Sequence, residues 1–482
     1  MLRCDSVCLE RFWRDSVCAF VIRKRGSTME MAIGYFGDAR LEKNGALIAQ
    51  RVSERQAVCV RKLADDRSEQ VKFRRFLSNE AVTVEEMVAH RASLVAAAAA
   101  GRHVLAIQDT SEINYQAQSG RKHGLGKVGN GTDVGLFVHP VLAVDAQTQE
   151  CLGLVDVQIW RRTKSKAKNY KQLPIEAKES YRWVRGGEHA KAVLAEAATV
   201  TVIDDREGDI YEKWARLPDE RTHLLTRASR DRSLTDGKRL FATLAGLPEV
   251  YRFTLDLPAR PGKRGARTAH MAVRFGHIHI RRPVDCSDHN APPEIELFAV
   301  EVRELNPPPG DAICWRLLTT HPVASVEQAL TVISWYRLRW HIEQLFRTLK
   351  RQGLRLEQSV VEDGEALEKL AAIALIAAAT TMQLVLARSA GSQDAPASRV
   401  FDPEQIQVLH ALQKKLQGRT TKQQNSHPPG SLAWAGWTIA RLGGWTGYDS
   451  DKSTGPITMR DGLERFYGIV DGYNLAKNVC PS

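Results

Sequence analysis

An α/β core, with a mixed sheet flanked by helices and helical segments at both ends, is the fold class this sequence predicts. Three observations predict it. Short apolar and β-branched runs crowd residues 103–204, helical periodicity dominates 32–100 and the part after Ser325, and strand-like runs return between Arg221 and Val323. A chain of 482 residues exceeds one compact core, and 43% hydrophobic with 26% charged residues is the composition of a folded globular protein.

The elements follow in order. Residues 1–31 repeat Asp-Ser-Val-Cys at 5–8 and 15–18 and lack a long apolar run, so they read as an extension rather than a signal peptide, with Met29 or Met31 as the native start. Residues 32–100 read as a helical domain. It has a capping box at Thr83-x-x-Glu86 and a basic face that includes Arg40, Arg51, Lys72, Arg74 and Arg75. His103–Asp109, Gly135–Asp145 and Cys151–Trp160 read as three successive strands of an antiparallel meander. A helix is expected from Pro174, a buried strand over Ala198–Asp205 and a helix over Asp209–Leu217. His223–Arg227, Val250–Leu257, His270–Arg281 and Ile295–Val302 make a β-rich insertion at about 218–324. One long helix starts at the capping box Ser325-x-x-Gln328, a second covers Gly364 to about Ala387, and a linker at 388–402 leads to a helical end. Three strands, helix, strand, helix, insertion, helix is an order that resembles a ribonuclease-H-like fold interrupted before its last core helix. The units are therefore 1–31, 32–100, 101–388 and 389–482.

Leu370–Ala387 is apolar enough to raise a membrane question. Its many alanines, with Thr380, Thr381 and Gln383, read as a buried core helix, and no membrane partner is expected. The eight cysteines form no C-x-x-C pair, which argues against a zinc ribbon or a disulfide framework and fits a reducing cytoplasm. A net charge of +12 suits a polyanionic partner, DNA or RNA.

Three carboxylates carry the chemistry. Phosphoryl transfer in nucleic acid uses two divalent cations about 4 Å apart, held by a few carboxylates on rigid elements. Asp109 ends the first expected strand and Asp205 the fourth. Tyr336, Arg339, Glu343 and Lys350 are spaced by three, four and seven, along one face of a helix. Leu338, Ile342, Leu345 and Leu349 form the neighbouring apolar stripe. By spacing alone, an i,i+4 Arg–Glu pair on a solvated face is the better account of this helix.

Together these motifs resemble the bacterial DDE cut-and-paste transposases of the IS-four family, the transposon-five type above all. Ala106-Ile-Gln-Asp109-Thr and Val202-Ile-Asp-Asp205-Arg-Glu-Gly-Asp-Ile-Tyr211 match its two Asp motifs. Tyr336, Arg339, Glu343 and Lys350 match its Y-R-E-K signature. Glu304-Leu-Asn-Pro-Pro-Pro-Gly310 with Trp315-x-Leu-Leu-Thr319, Ser431-Leu-x-Trp434 and Ile439-Ala-Arg-Leu-Gly-Gly444 match further segments, and Gly37-Asp-Ala-Arg-Leu41 resembles the start of its DNA-binding domain. The similarity spans roughly 32–475.

The resemblance implies that Asp109, Asp205 and Glu343 hold two Mg²⁺, for which Mn²⁺ substitutes. It implies cleavage of transposon ends through a DNA hairpin, then joining to target DNA. Trp315 would stack on a flipped base, while Tyr336, Arg339, Lys350 and Arg227 grip its phosphate. Arg40 and Arg75 of the end-binding domain and Arg264 of the insertion are further candidate DNA contacts. So is the basic loop of Arg161, Arg162, Lys164, Lys166, Lys168 and Lys171, where the type enzyme is more acidic. A homodimer is implied in the synaptic complex, through the C-terminal domain; there Leu463, Phe466, Val470 and Tyr473 recur at helical spacing, which by itself reads as burial within the domain, with the dimer contact as the alternative. The expected location is the cytoplasm, on the bacterial nucleoid. The alternatives are a catalytically inactive relative that occupies element ends, and a ribonuclease-H-like host nuclease.

Two other signals are weighed and set aside. Gly124-x-Gly126-x-x-Gly129 lies between strands rather than opening a helix, so it reads as a flexible hairpin loop and not a dinucleotide site. His277, His279, Cys286 and His289 have spacing for zinc, but strand alternation explains the histidine pair.

Overall fold

Each of the main N-terminal helices opens on a side chain that satisfies a free amide of its first turn. Asp38 accepts from Arg40 at the head of α1 (Ala39–Arg55). After the single turn α2 (Val60–Leu63), Asp66 accepts from Glu69 to start α3 (Arg67–Leu77), and Thr83 from Glu86 to start α4 (Val84–Ala99). Only half of the expected capping box forms at Thr83, because the Glu86 carboxylate takes the amide of Tyr35, 2.7 Å away. The computed structural model describes residues 32–162, 169–259, 262, 264–389, 395–448 and 455–479. The 1–31 extension, Lys164, Lys166 and Lys168 of the basic loop, the Lys171 side chain and part of the 388–402 linker lie outside the described residues.

The sheet then begins. β1 (His103–Gln108), β4 (Asp133–Asp145) and β5 (Cys151–Trp160) are the expected meander, and alternate residues of β1 enter opposite cores, Leu105 and Ile107 on one face, Val104 and Ala106 on the other. The glycine-rich stretch is more ordered than a flexible loop. It forms β2 (Ser111–Asn114) and β3 (Gly126–Val128), both antiparallel to β4. Gly126 is needed there, since a Cβ would meet the Arg162 backbone at 2.3 Å.

The helix expected from Pro174 starts later. Pro174 precedes one 3₁₀ turn, and α5 runs Tyr181–Val193. β6 (Thr199–Asp204), α6 (Tyr211–Arg216) and β7 (Thr222–Arg227) follow, with β7 parallel to β6. The five core strands thus lie in the order β5-β4-β1-β6-β7, the ribonuclease-H-like arrangement, so β7 belongs to the core and the insertion begins after it rather than at about 218. The insertion comprises α7 (Leu240–Gly246), β8 (Tyr251–Leu257), β9 (Arg267–Arg281), β10 (Glu294–Glu304) and β11 (Cys314–Thr319). It extends the same sheet through an antiparallel β7–β11 contact. His277 pairs with Glu296 and His279 with Glu294 across β9 and β10.

The long helix from Ser325 is two helices, α8 (Val326–Leu338) and α9 (Trp340–Leu349). At Arg339 the ladder tightens to i→i−3 bonds, Arg339 N to Tyr336 O at 3.1 Å and Ile342 N to Arg339 O at 3.2 Å. Ile342, Leu345 and Leu349 are buried and Leu338 partly so. α10 (Gly364–Ser389) is the one helix among the described residues long and apolar enough to cross a membrane, yet 89% of its most apolar window is buried. It packs against α1, α3, α4, α9 and β5, and its far end joins a separate core with α11 (Pro403–Leu416), α12 (Leu432–Leu442) and α13 (Pro456–Val479). Alanine suits a helix enclosed on every side, because it lets several neighbours approach at once. On α13, Leu463, Phe466 and Val470 are buried within this core, whereas Tyr473 is exposed.

Candidate active site

Strand register sets the first two carboxylates. β1 and β6 run parallel with Ile107 opposite Ile203, so the chain leaves both strands at the same level, at Asp109 and Asp205. Each is steadied by a local amide, Thr110 N on Asp109 Oδ1 at 2.8 Å and Glu207 N on Asp205 Oδ1 at 2.7 Å. Burial, and then the charge of Asp205, push the Asp109 carboxyl up to about 7, against the pull of Arg339. A carboxyl raised in this way is one that a nearby positive charge would return to its ionised form.

Glu343, in the first turn of α9, supplies the third carboxylate. Arg339 stands between it and Asp109. The guanidinium bonds Asp109 Oδ2 at 2.9 Å and Glu343 Oε1 at 2.5 Å. Among the described residues no three His, Cys, Asp or Glu side chains form a ready-made metal-holding group. The donor set still fits a hard divalent cation: it is all carboxylate oxygen, and a side-chain cation already stands between two of its members.

Other expected residues gather at the same pole. Tyr336 is buried, its ring meeting Trp315 edge-on with centroids 5.9 Å apart. Burial raises the Tyr336 hydroxyl pKa, while Arg339 and Arg227 pull it down. Arg227, at the end of β7, donates to the Cys314 carbonyl at 2.9 Å. Lys350 departs from the expected face. α9 ends at Leu349, and the Lys350 ammonium, its pKa lowered by burial, interacts with Glu357 and Glu112 rather than with the Asp109–Arg339–Glu343 group. Trp340, next to Arg339, is exposed under the Arg347 guanidinium.

Arg40 and Arg75 are exposed on α1 and α3. Arg264 is held by Asp311, 3.7 Å away. Of the basic loop, Arg161 pairs with Glu368 at 2.7 Å and Arg162 with Glu179 at 2.5 Å, so both are engaged within the fold.

Sequence reasoning missed the residues beneath the site. Gln108, His139, Asp204 and Lys213 are fully buried and mutually hydrogen-bonded, with Arg182 at the margin. One signal was available: in the doublet Asp204-Asp205, strand alternation forces one carboxylate inward, and a buried carboxylate needs a partner.

A ribonuclease-H-like sheet, with carboxylates after its first and fourth core strands and on the helix after an insertion, is an arrangement suited to phosphoryl transfer on polynucleotides. The chain belongs to the transposase DDE domain family, whose model matches residues 138–379, half of the sequence. Asp205, Glu343 and the insertion fall inside the match, and Asp109 precedes it. Among solved structures, a piggyBac transposase synaptic complex with hairpin DNA aligns at 11% identity over 96% of this chain and 83% of that one, with a TM-score of 0.38. That likeness is too loose to bear on mechanism.

Proposed function

We propose that the protein is a cut-and-paste DNA transposase of the IS-four, transposon-five-like type. On this reading it binds the ends of its own element, cleaves them through a hairpin, and joins the 3′ ends to target DNA. The observation that carries this is the linked placement of three carboxylates, Asp109 level with Asp205 and tied through Arg339 to Glu343.

Asp109, Asp205 and Glu343 are the residues to hold two Mg²⁺ or Mn²⁺. When bound, these ions supply positive charge to the attacking and leaving oxygens. The chain's own groups do the rest. Arg339 and Tyr336 meet a DNA phosphate at the site, with Arg227 behind them and Lys350 further along the strand. Trp315, packed edge-on against Tyr336, offers a face to an unstacked base, which offsets part of the few kcal/mol that unstacking costs. Water attacks at the element end and frees a 3′ hydroxyl. That hydroxyl attacks the opposite strand to close a hairpin, a second water opens it, and the same hydroxyl then attacks target DNA. Arg40 and Arg75 sit on the exposed helices assigned to end binding. Exposed Ile469, Tyr473 and Leu475 on α13 suit a second copy in the synaptic complex.

The test uses DNA with the candidate end sequences taken from either side of the gene, with Mg²⁺ and purified protein. Nicked 3′ ends, hairpins and joined products are expected, from a dimer by light scattering. Tight binding without any of these products would make the protein an inactive end-binding relative instead.

A further inference from the structure

Directly beneath the two strand-end aspartates lies a circuit of buried polar side chains. Gln108 and Asp204 precede Asp109 and Asp205, and both are wholly enclosed. Gln108 Nε2 donates to Asp204 Oδ1 at 2.8 Å and to the Trp183 carbonyl at 3.0 Å, which fixes its amide and leaves Oε1 as an acceptor. His139 of β4 donates to that oxygen from Nε2 at 2.9 Å, so its Nδ1 accepts the Thr110 hydroxyl at 2.8 Å. Thr110 accepts in turn from Arg182 Nε at 2.8 Å. Arg182 also pairs with Glu207, whose backbone amide holds Asp205. At the inner end, Asp204 Oδ2 accepts from Thr226 at 2.9 Å and from Lys213 of α6.

Each hydrogen bond in the circuit has one possible direction, and the circuit flanks both aspartates. Asp109 sits between Gln108 and Thr110, Asp205 between Asp204 and the Glu207 amide. Two glycines make room for it. A Cβ on Gly208 would lie 2.4 Å from Asp204 Cβ, and one on Gly186 2.4 Å from Gln108 Oε1. Buried ion pairs such as Lys213–Asp204 contribute little net stability over apolar side chains of the same size. Their place under a like-charged carboxylate pair points to another task.

We propose that Lys213, Asp204, Gln108 and His139 are positioning residues that hold Asp109 and Asp205 side by side against their mutual repulsion, and so set the affinity of the site for a divalent cation. This rests on the assignment of those two aspartates as metal-holding carboxylates of a transposase. All four are enclosed within the fold, so each acts through the backbone or side chain next to a carboxylate. Groups that orient metal ligands commonly govern affinity or activity by roughly 10- to 100-fold.

Two variants of the full chain test it. His139→Phe keeps a ring edge-on to Trp183, now 4.8 Å between centroids, and removes both hydrogen bonds. Asp204→Leu combined with Lys213→Met replaces the ion pair with apolar groups. Binding of Mn²⁺ is read without DNA, from the free-ion electron paramagnetic resonance signal. In parallel, the Mg²⁺ concentration for half-maximal cleavage, end binding by gel shift and the melting transition are measured. The expected result is Mn²⁺ affinity weakened roughly 10- to 100-fold, a Mg²⁺ requirement raised in step, cleavage recovered by excess Mg²⁺, and unchanged end binding. Wild-type Mn²⁺ affinity in either folded variant overturns the proposal. So does loss of cooperative melting in both variants, because the circuit would then serve the fold alone. A wild type that binds Mn²⁺ yet never cuts DNA would sink the transposase reading, while the Mn²⁺ measurement would still judge the circuit.

Discussion

β1, β6 and β7 have two ends, and the two ends are chemically opposite. At the outgoing end stand Asp109, Asp205 and Arg227. At the incoming end, His103 begins β1, His223 is the second residue of β7, and His321 arrives just after β11. His223 and His321 stack with ring centroids 3.9 Å apart, His103 and His321 share the Thr201 hydroxyl at 2.8 and 2.7 Å, and Trp335 closes over both. Burial, with help from neighbouring imidazoles, depresses His103 to about 4 and His321 to about 3. The incoming pole is built from groups that stay neutral and bond one another. The outgoing pole keeps like charges adjacent and partly open. The difference separates a closed joint from a pole whose carboxylates suit a cation.

The largest effect is expected from removing the charges that define the open pole. Asp205→Ala or Glu343→Ala should abolish cleavage of element ends while gel-shift binding survives, and cleavage near the wild-type rate would remove these residues from the chemistry. Next comes the support beneath. Lys213→Met alone strands the buried Asp204 charge and should cost about 3–5 kcal/mol by denaturant unfolding, more than the double replacement with Asp204→Leu.

The poles should then differ in the sign of their pH dependence. Asp109 has a folded pKa near 7, above its ordinary 3.8, so its contribution favours the fold at low pH and is lost as pH rises through about 4 to 7. Asp109→Asn should therefore raise the melting temperature of metal-free protein at pH 8 while abolishing cleavage. Mg²⁺ should bind the wild type more tightly as pH rises over the same window. His103 and His321 have folded values below 6.5, so their contribution is complete above that pH and is lost as pH falls towards 4 and 3. His321→Phe should flatten this acid limb, the smallest of the effects, and leave cleavage within about twofold, as expected for a surface away from the chemistry. Melting temperatures from pH 4 to 8 check both signs.

The open pole was more legible in the sequence than the closed one, for physical reasons. A carboxylate at the end of an apolar run breaks the local pattern, so Asp109 and Asp205 stand out, and Glu343 shares a turn with Arg339. His103, His223 and His321 are far apart in sequence and meet only because β7 and β11 pair antiparallel while β1, β6 and β7 run parallel. The same limit applies to Lys213 and His139, whose partners lie on other strands. Helical spacing placed Lys350 on the face of Glu343, but spacing cannot see the 3₁₀ turn at Arg339 or the stop after Leu349. Among the core elements, strands were read well from β-branched runs. β2 and β3 were missed because their glycines and polar residues owe their extended form to pairing with β4.

α10 has a consequence in time as well as in space. Lys369 on this helix donates to the Asn79 carbonyl at 2.6 Å, across 290 residues of chain, and the buried faces of α1, α3 and α4 share one core with it. At about 5–20 residues per second, the ribosome needs about 15–60 s to deliver the second half of that core. During this interval the helices assigned to end binding wait with their apolar faces incomplete. Synthesis halted before residue 389 would leave the first hundred residues without their keystone, so the two ends of the chain mature together.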